Sequence, residues 1–292
     1  YQDYLPDYST FTHTNAYSTS LIYEIIEEKN FSVEKIIVAS SQAVMGEGKY
    51  LDKEGSIHYP NLRDERNLNK GIWNHLDKNG QELIMKKSDE NVINPQNPYA
   101  MSKYQQEMLS INLGRRIGVP SVAMRYSIVQ GSRQSFYNAY SGACRIFSLA
   151  YFFNKIPTIY EDGNSVRDYV NIKDVVNANI LVMESDSANN QVFNVGGNKA
   201  YSVLDFAKIA AEVFRLEFKY NLPGEYRFGD TRHIFSDISN LKSLGWTVNF
   251  TPKDSLIEYK EYLEAQNDVE DILDYANKNM KNLGVVRKVN IK

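Results

Sequence analysis

"VEKIIVASSQAVMGEG", residues 33–48, is the stretch that decides the fold. Val33 to Ala39 form a short β-branched run ending in small polar residues. A solidly apolar strand bounded this way suits a parallel sheet buried on both faces. On its N-terminal side, "AYSTSLIYEIIEEK" (16–29) places Leu21, Ile22, Ile25 and Ile26 at helical spacing. Beyond it, residues 46–96 are polar, charged and irregular, with five glycines (Gly46, Gly48, Gly55, Gly71, Gly80). So long an irregular stretch is read as a functional or disordered segment. A helix over roughly 98–116 follows, and "VPSVAMRYSIV" (119–129) supplies a second buried strand.

This alternation of helix and strand predicts a doubly wound α/β sheet. Further on, a helix is expected at about 140–154 and a short strand at "PTIYED" (157–162). "RDYVNIKDVVNANILVME" (167–184) reads as strand then helix, "QVFNVGG" (191–197) as strand and "SVLDFAKIAAEVF" as helix. The tail from 252 reads as helical and highly charged, ending in the basic "RKVNIK". No internal repeat or low-complexity segment stands out.

Composition narrows the function classes. The 292 residues are 42% hydrophobic and 24% charged, ordinary for a globular chain long enough to bury a core without staples. The net charge of -3 gives no basic field for nucleic acid. No uninterrupted apolar run approaches the roughly 20 residues of a membrane helix, and the start carries no signal-peptide pattern. Cys144 is the only cysteine, so no intrachain disulfide can form and a cytoplasmic home is expected.

"NPYAMSKYQQEML" (97–109) carries the candidate chemistry. Tyr99 and Lys103 stand at i and i+4, on neighbouring turns of one helix face. An ammonium near a phenol favours the phenolate, which suits proton exchange near neutral pH. Chance supplies this spacing easily, and a solvated helix face is the plain alternative. Ser40 and Ser41 close the preceding strand, where open α/β sheets hold their ligands. A hydroxyl there can bond the substrate oxygen that the tyrosine protonates; a simple turn start explains it equally well.

Taken in order, these landmarks resemble the NAD-dependent epimerase/dehydratase family, the extended branch of the short-chain dehydrogenase/reductases. "IIVASSQAVMGEG" is similar to that family's strand and following Ser-x-x-x-Tyr-Gly segment, and "NPYAMSKYQQE" to its Tyr-x-x-x-Lys helix. "MRYSIVQGSRQ", "EDGNSVRDYVNIKDVV", "VFNVGG" and "GDTRHIFSDISNLKSLGW" match later landmarks in the right order. The resemblance implies a Rossmann-like doubly wound parallel sheet with a smaller C-terminal α/β substrate domain. Residues 1–134 and about 164–198 would form the NAD-binding part, with an insertion at about 46–96. Residues 135–163 and 199–292 would form the nucleotide-sugar part.

The resemblance also implies a mechanism with NAD as cofactor. Tyr99 would be the acid/base on a sugar hydroxyl. Lys103 would lower its pKa and hold the cofactor ribose, with Ser127 beside the cofactor too. Ser41 would polarise the reacting oxygen and, with Gln42, touch substrate. Arg167 and Arg227 match arginines that fork onto the diphosphate of a dTDP- or UDP-sugar; a surface ion pair is the alternative for each. Dehydratases of the family carry an Asp-Glu pair after the hydroxyl residue, where Gln42 and Ala43 stand here, so 4-epimerisation through a transient 4-keto sugar is favoured.

Within the family the insertion, "QSFYNAYSGACRIFS", "PGEYRFGDTRH" and the tail are most like the dTDP-L-rhamnose 4-epimerases, pointing to a dTDP-6-deoxyhexose. A reductase or dehydrogenase on the same substrates is the runner-up. A non-catalytic homologue acting as a binding module is the alternative outside the enzyme class. His58 and His75 alone are too few ligands for a structural zinc, so the insertion is expected to be a solvated or substrate-capping loop. Helices 16–29 and 98–116 are where relatives pair, so a homodimer is expected.

Departures from the pattern matter as well. Met45, Ile128, Gln130 and Ser132 replace a Tyr, Asn, Tyr and Pro of relatives, which bears on sugar identity. The family's opening strand and Gly-x-x-Gly-x-x-Gly turn, which cradles the cofactor pyrophosphate, has no counterpart here. The first βαβ units are therefore expected to be missing, as in a fragment of a longer chain.

Overall fold

The computed structural model describes residues 8–137 and 142–290. A helical turn (Tyr8–Phe11) and a π-helical segment (Thr12–Tyr17) lead into α1 (Ser18–Lys29), which stops where Asn30 turns left-handed at φ 51°. Strand β1 (Ile36–Ser41) follows. It begins three residues later than the apolar run suggests. Lys35 there is spent on the carbonyls of Val182 and Ser185, at 3.0 and 2.9 Å.

The insertion, expected to be a solvated or substrate-capping loop, is an ordered segment with one buried side and one exposed side. Strands β2 (Lys49–Leu51), β3 (Ile57–His58) and β4 (Ile84–Lys86) form an antiparallel sheet in the order β3-β2-β4. Tyr50 and Leu68 of this segment are fully buried, as are the polar Glu47, Arg63, His75 and Ser88. Arg63 and Glu47 of this segment pair inward, with Glu161 and His75, and no apolar periodicity reveals that from sequence.

Helix α2 (Pro98–Ile117) starts where the Asn97 side chain accepts from the Ala100 amide, with Pro98 at the first helical position. Both are preferred choices, because the cap satisfies an orphan donor and proline has none to lose. The helix ends at Gly118, whose φ of 74° suits glycine. Strand β5 (Ser121–Tyr126) then lies parallel to β1, in register from Ile36↔Ser121 to Ser41↔Tyr126.

Strand β6 (Ile128–Gln130), helix α3 (Ala143–Phe152), strand β7 (Val166–Asn171) and helix α4 (Ile172–Glu184) come next. β6 and β7 are parallel. Residues 138–141 of the quoted "QSFYNAYSGACRIFS", where the third helix was expected to begin, lie outside the described residues. "PTIYED" makes no strand and contributes one bridge, Thr158 to Asn221. Strand β8 (Val192–Val195) pairs with β5, completing a parallel sheet of order β1-β5-β8.

Strand β9 (Ala200–Ser202) pairs antiparallel with β7 and leads into α5 (Val203–Phe214) through a Ser202–Asp205 capping box. Strand β10 (Glu225–Arg227) pairs antiparallel with β11 (Val286–Lys288), after helices α6 (Pro252–Glu264) and α7 (Leu273–Asn282). The tail is thus not helical throughout. Among the described residues no helix is long and apolar enough to cross a membrane.

Two buried clusters hold the elements. Met124, Val170, Val175, Val182, Phe193 and Trp246 fill the space between the parallel sheet and α4. Phe147, Leu149, Tyr169, Phe206, Leu256 and Tyr259 join α3, α5 and α6.

One buried ion pair ties α2 to the sheet. Arg125 on β5 donates from Nε and Nη2 to the two carboxylate oxygens of Glu107, both at 2.8 Å. The Ser40 hydroxyl on β1 donates to the same carboxylate. The free edge of the guanidinium donates to the Glu90 and Val92 carbonyls, at 3.0 and 3.1 Å, so the end of the insertion is caught too.

The "RDYV" and "NVGG" landmarks explain each other. Asp168 is completely buried and accepts from the Gly197 amide (2.7 Å), the Ser127 hydroxyl (2.7 Å) and the Ser236 amide (3.2 Å). A Cβ on Gly196 would stand 2.1 Å from the Asp168 carboxylate, and one on Gly197 would stand 1.8 Å from the Tyr169 carbonyl. Only glycine lets the β8 end come this close. Gly197→Ala should therefore cost about 2–4 kcal/mol, because backbone must move to relieve the overlap. A urea-unfolding midpoint equal to wild type would contradict this reading.

Candidate active site

The sheet places the candidate residues at the carboxyl end of its strands. Ser41 is the last residue of β1 and caps the 3-10 turn Gln42–Met45, its hydroxyl accepting from the Ala43 amide at 3.2 Å. Tyr99 sits in the first turn of α2, with the Ser41 hydroxyl near enough to its phenol to favour the phenolate. The Phe11 ring meets the Tyr99 ring edge-on, with centroids 5.8 Å apart.

Lys103 lies one turn further along α2. Its Nζ donates to the Ala39 carbonyl at 2.9 Å and to Gln106 Oε1 at 3.0 Å, and stands 5.9 Å from the Tyr99 ring centroid. Two of its three protons are thus committed and the third remains for a ligand. Sequence spacing brought Ser41, Tyr99 and Lys103 together, and the structure places them as one cluster.

Their electrostatics differ from the sequence expectation. Burial pushes the Tyr99 phenol above its ordinary range, and the Ser41 hydroxyl only partly opposes this. Burial likewise pushes Lys103 below its ordinary value. The expected lowering of Tyr99 by Lys103 is not seen, because desolvation dominates and the opposing influence comes from the Ser41 hydroxyl.

Ser127 also stands apart from the expectation. Its hydroxyl donates to Asp168 and pairs with the Ser236 hydroxyl at 2.8 Å, so the side chain is already engaged inside the protein. Gln42, by contrast, keeps a buried Oε1 with no protein partner.

The two arginines line a separate cavity of about 360 Å³. Ile128, Phe147 and Tyr169 form apolar walls, while Arg167, Arg227 and Glu161 bring charge. Ser41, Tyr99 and Lys103 are not in its lining, but the two places connect through β5 and β6. Ser41 pairs with Tyr126, and Ile128, two residues on, lines the cavity.

Arg167 Nη1 donates to the Val166 and Arg232 carbonyls, each at 3.0 Å. Arg227 bonds Asp230 Oδ2 at 2.8 Å, and its guanidinium lies 5.7 Å from the Tyr160 ring centroid. Burial alone would raise Asp230, but the charges of Arg227 and Arg167 outweigh it and hold the carboxyl below its usual range.

Sequence reasoning missed the polar core beneath this cavity. Arg63 from the insertion forks onto Glu161 at 2.9 and 2.7 Å. Arg232 donates to Glu161, to Asp162 and to the Ser165 hydroxyl. Glu161 holds a left-handed backbone at φ 57°, a conformation that survives only where surroundings enforce it. His233 is held neutral, its pKa pushed down to about 3 by burial and the arginines, and its Nδ1 accepts from the Val166 amide. In sequence these residues lie far apart and follow no period.

The Tyr99 shift has a consequence at alkaline pH. A tyrosine whose folded pKa lies above its unfolded value near ~10 stabilises the fold below that value and loses this contribution as pH rises. Tyr99→Phe should therefore lose less stability between pH ~9 and ~11 than wild type, with an unchanged slope below pH ~9. Parallel stability–pH curves across the whole range would contradict the assignment.

Comparison with known proteins agrees with this geometry. Residues 77–196 match the sequence profile of the NAD dependent epimerase/dehydratase family. The chain is 29% identical over 265 residues to a dTDP-L-rhamnose 4-epimerase of Burkholderia thailandensis, covering 90% of this chain and 72% of that protein. It resembles the crystal structure of UDP-glucose 4-epimerase from Thermotoga maritima with UDP-glucose, at TM-score 0.67 and 27% identity over 87% of this chain and 70% of that one. It shares its fold with UDP-glucuronic acid 4-epimerase from Bacillus cereus in complex with UDP-glucuronic acid and NAD, at TM-score 0.65 and 20% identity, covering 86% and 67%. Residues 77–196 thus carry the profile of the NAD-dependent epimerase/dehydratase family, and most of the chain resembles nucleotide-sugar epimerases in sequence and fold.

Proposed function

We propose that this chain acts as an NAD-dependent nucleotide-sugar 4-epimerase on a dTDP-6-deoxyhexose such as dTDP-L-rhamnose. The observation that carries the reading is the placement of Ser41 at the carboxyl end of a parallel sheet beside the first turn of α2, where Tyr99 stands, with Lys103 one turn further on and bonded to the Ala39 carbonyl. Likeness to a dTDP-L-rhamnose 4-epimerase over 90% of the chain supports the choice of substrate class.

The residues present suit one end of the cofactor. Lys103 has a proton to spare for a ribose hydroxyl, and the Tyr99 phenol beside it is the group that would exchange a proton with a reacting alcohol. Lys103 and Tyr99 would hold the nicotinamide ribose, and any part played by Ser127 runs through its backbone, since its hydroxyl serves Asp168. NAD held there would supply reversible hydride chemistry at the sugar carbon with no net redox change.

The chain's own groups handle the proton. Tyr99 takes the proton of the sugar 4-hydroxyl as the ketone forms and gives it back to the inverted alcohol. Ser41 donates to the same oxygen and keeps it within reach. Because burial holds Tyr99 protonated in the free chain, the base form depends on the ammonium of Lys103. Gln42, with its unpartnered buried oxygen, offers an acceptor to a sugar hydroxyl. Gln42 and Ala43 supply no acid or base for water elimination, which favours epimerisation over dehydration. Arg167 and Arg227 would grip the diphosphate in the cavity of about 360 Å³, a volume within the range of small-ligand pockets. In this reading residues 1–134 and about 164–198 serve the cofactor, and 135–163 and 199–292 serve the nucleotide-sugar.

Two exposed helical faces support a homodimer. Tyr17, Leu21, Ile22 and Ile25 on and beside α1, and Met101 and Met108 on α2, leave large apolar side chains in water.

Incubation with NAD and a panel of dTDP- and UDP-sugars, followed by NMR of the sugar, tests the function. Tyr99→Phe should reduce the interconversion by about 10²–10⁴-fold while nucleotide affinity stays within about twofold. An unchanged rate, or stoichiometric NADH, would sink the assignment. Light scattering after chromatography should report a dimer for wild type and a monomer for Ile22→Glu combined with Met108→Glu. A variant that remains dimeric would move the interface elsewhere.

A further inference from the structure

Both arginines of the cavity are reached from the insertion, each through one intermediate residue. Arg63 Nη2 donates to the Asp230 carbonyl at 2.7 Å, and the Asp230 carboxylate holds Arg227 Nε at 2.8 Å. Asn74 Oδ1 accepts from Arg232 Nε at 2.8 Å, and the Arg232 carbonyl accepts from Arg167 Nη1 at 3.0 Å. A third insertion residue fixes the same segment, Glu47 accepting from the Arg232 amide at 2.9 Å. Glu161, which lines the cavity, is clasped between Arg63 and Arg232.

Stability alone is a poor reason for this arrangement. Buried ion pairs gain little net free energy over apolar packing of the same volume. This polar core also leaves Glu47 Oε1, Tyr50 Oη and Arg63 Nε buried without a protein hydrogen-bond partner. What it does supply is geometry, since a forked guanidinium held at several points cannot drift.

We propose that the insertion is a positioning device for diphosphate recognition, with Arg63 setting Arg227 through Asp230 and Asn74 setting Arg167 through Arg232. The proposal rests on the reading of the cavity as a nucleoside diphosphate site. Arg63 and Asn74 are positioning residues and need not touch the ligand. The insertion thereby couples phosphate affinity to its own folding, and its composition tunes substrate choice without any contact to the sugar.

Calorimetry with dTDP and dTMP, and in parallel with UDP and UMP, tests this on the full chain. Arg63→Lys keeps the charge but loses the fork, so its diphosphate Kd should rise about tenfold while the monophosphate Kd stays within about twofold. Asn74→Ala removes one neutral acceptor and should raise the diphosphate Kd about threefold with the same selectivity. A merely structural role would weaken both nucleotides together or only lower the bound stoichiometry. Folded variants with the wild-type ratio of monophosphate to diphosphate Kd overturn the proposal. Should Arg63→Lys fail to fold, Asn74→Ala decides alone. Arg167→Ala separates the two levels. If it too leaves the ratio unchanged, or wild type binds neither diphosphate, the cavity reading itself has failed.

Discussion

The buried fork between Arg125 and Glu107 is the constraint on which the remaining geometry depends. Glu107 lies one helical turn beyond Lys103, which lies one turn beyond Tyr99, so all three share a face of α2. Fixing Glu107 against β5, with Ser40 of β1 on the same carboxylate, fixes the roll of the helix. The roll in turn brings Tyr99 to Ser41 and Lys103 to the Ala39 carbonyl. Breaking such a buried pair by removing one partner costs about 3–5 kcal/mol, because the other charge is stranded. Here the larger effect would be on register, since a helix free to roll carries its catalytic face with it.

Much of this was legible in the sequence, and for identifiable reasons. β1 and β5 are solid apolar runs, and α2 announces itself with Asn97 and Pro98 at its start and Gly118 at its end. One helical spacing and one strand end singled out Tyr99, Lys103 and Ser41, but left the plain readings open, and only the resemblance implied roles for them. The glycines at 196 and 197 were visible as a landmark, but their reason appears only in three dimensions, where the Asp168 carboxylate occupies the space a side chain would need.

The insertion was the part that sequence could not resolve. Its polar composition suggested a solvated loop because buried charge pairs leave no periodic trace. Arg63 meets Glu161 98 positions away, and Asn74 meets Arg232 158 positions away. Single residues such as these look like surface charges until their partners are placed. The electrostatics of Tyr99 escaped for a related reason. Spacing reveals which charge is near the phenol, but not how much water has been removed from it, and here desolvation dominates.

The two halves of the account meet at the sugar. In the proposed function, arginines set through the insertion would hold one end of the substrate, and a phenol set through the Arg125–Glu107 fork would act on the other. The most direct test follows a deuterium at C4 of dTDP-L-rhamnose during turnover in ordinary water with NAD. Proton exchange at oxygen by Tyr99 combined with an internal redox cycle predicts inversion at C4 with the deuterium retained on the sugar. Loss of the label to solvent as C4 inverts would mean that the carbon itself is deprotonated, and the Ser41–Tyr99–Lys103 account would be wrong.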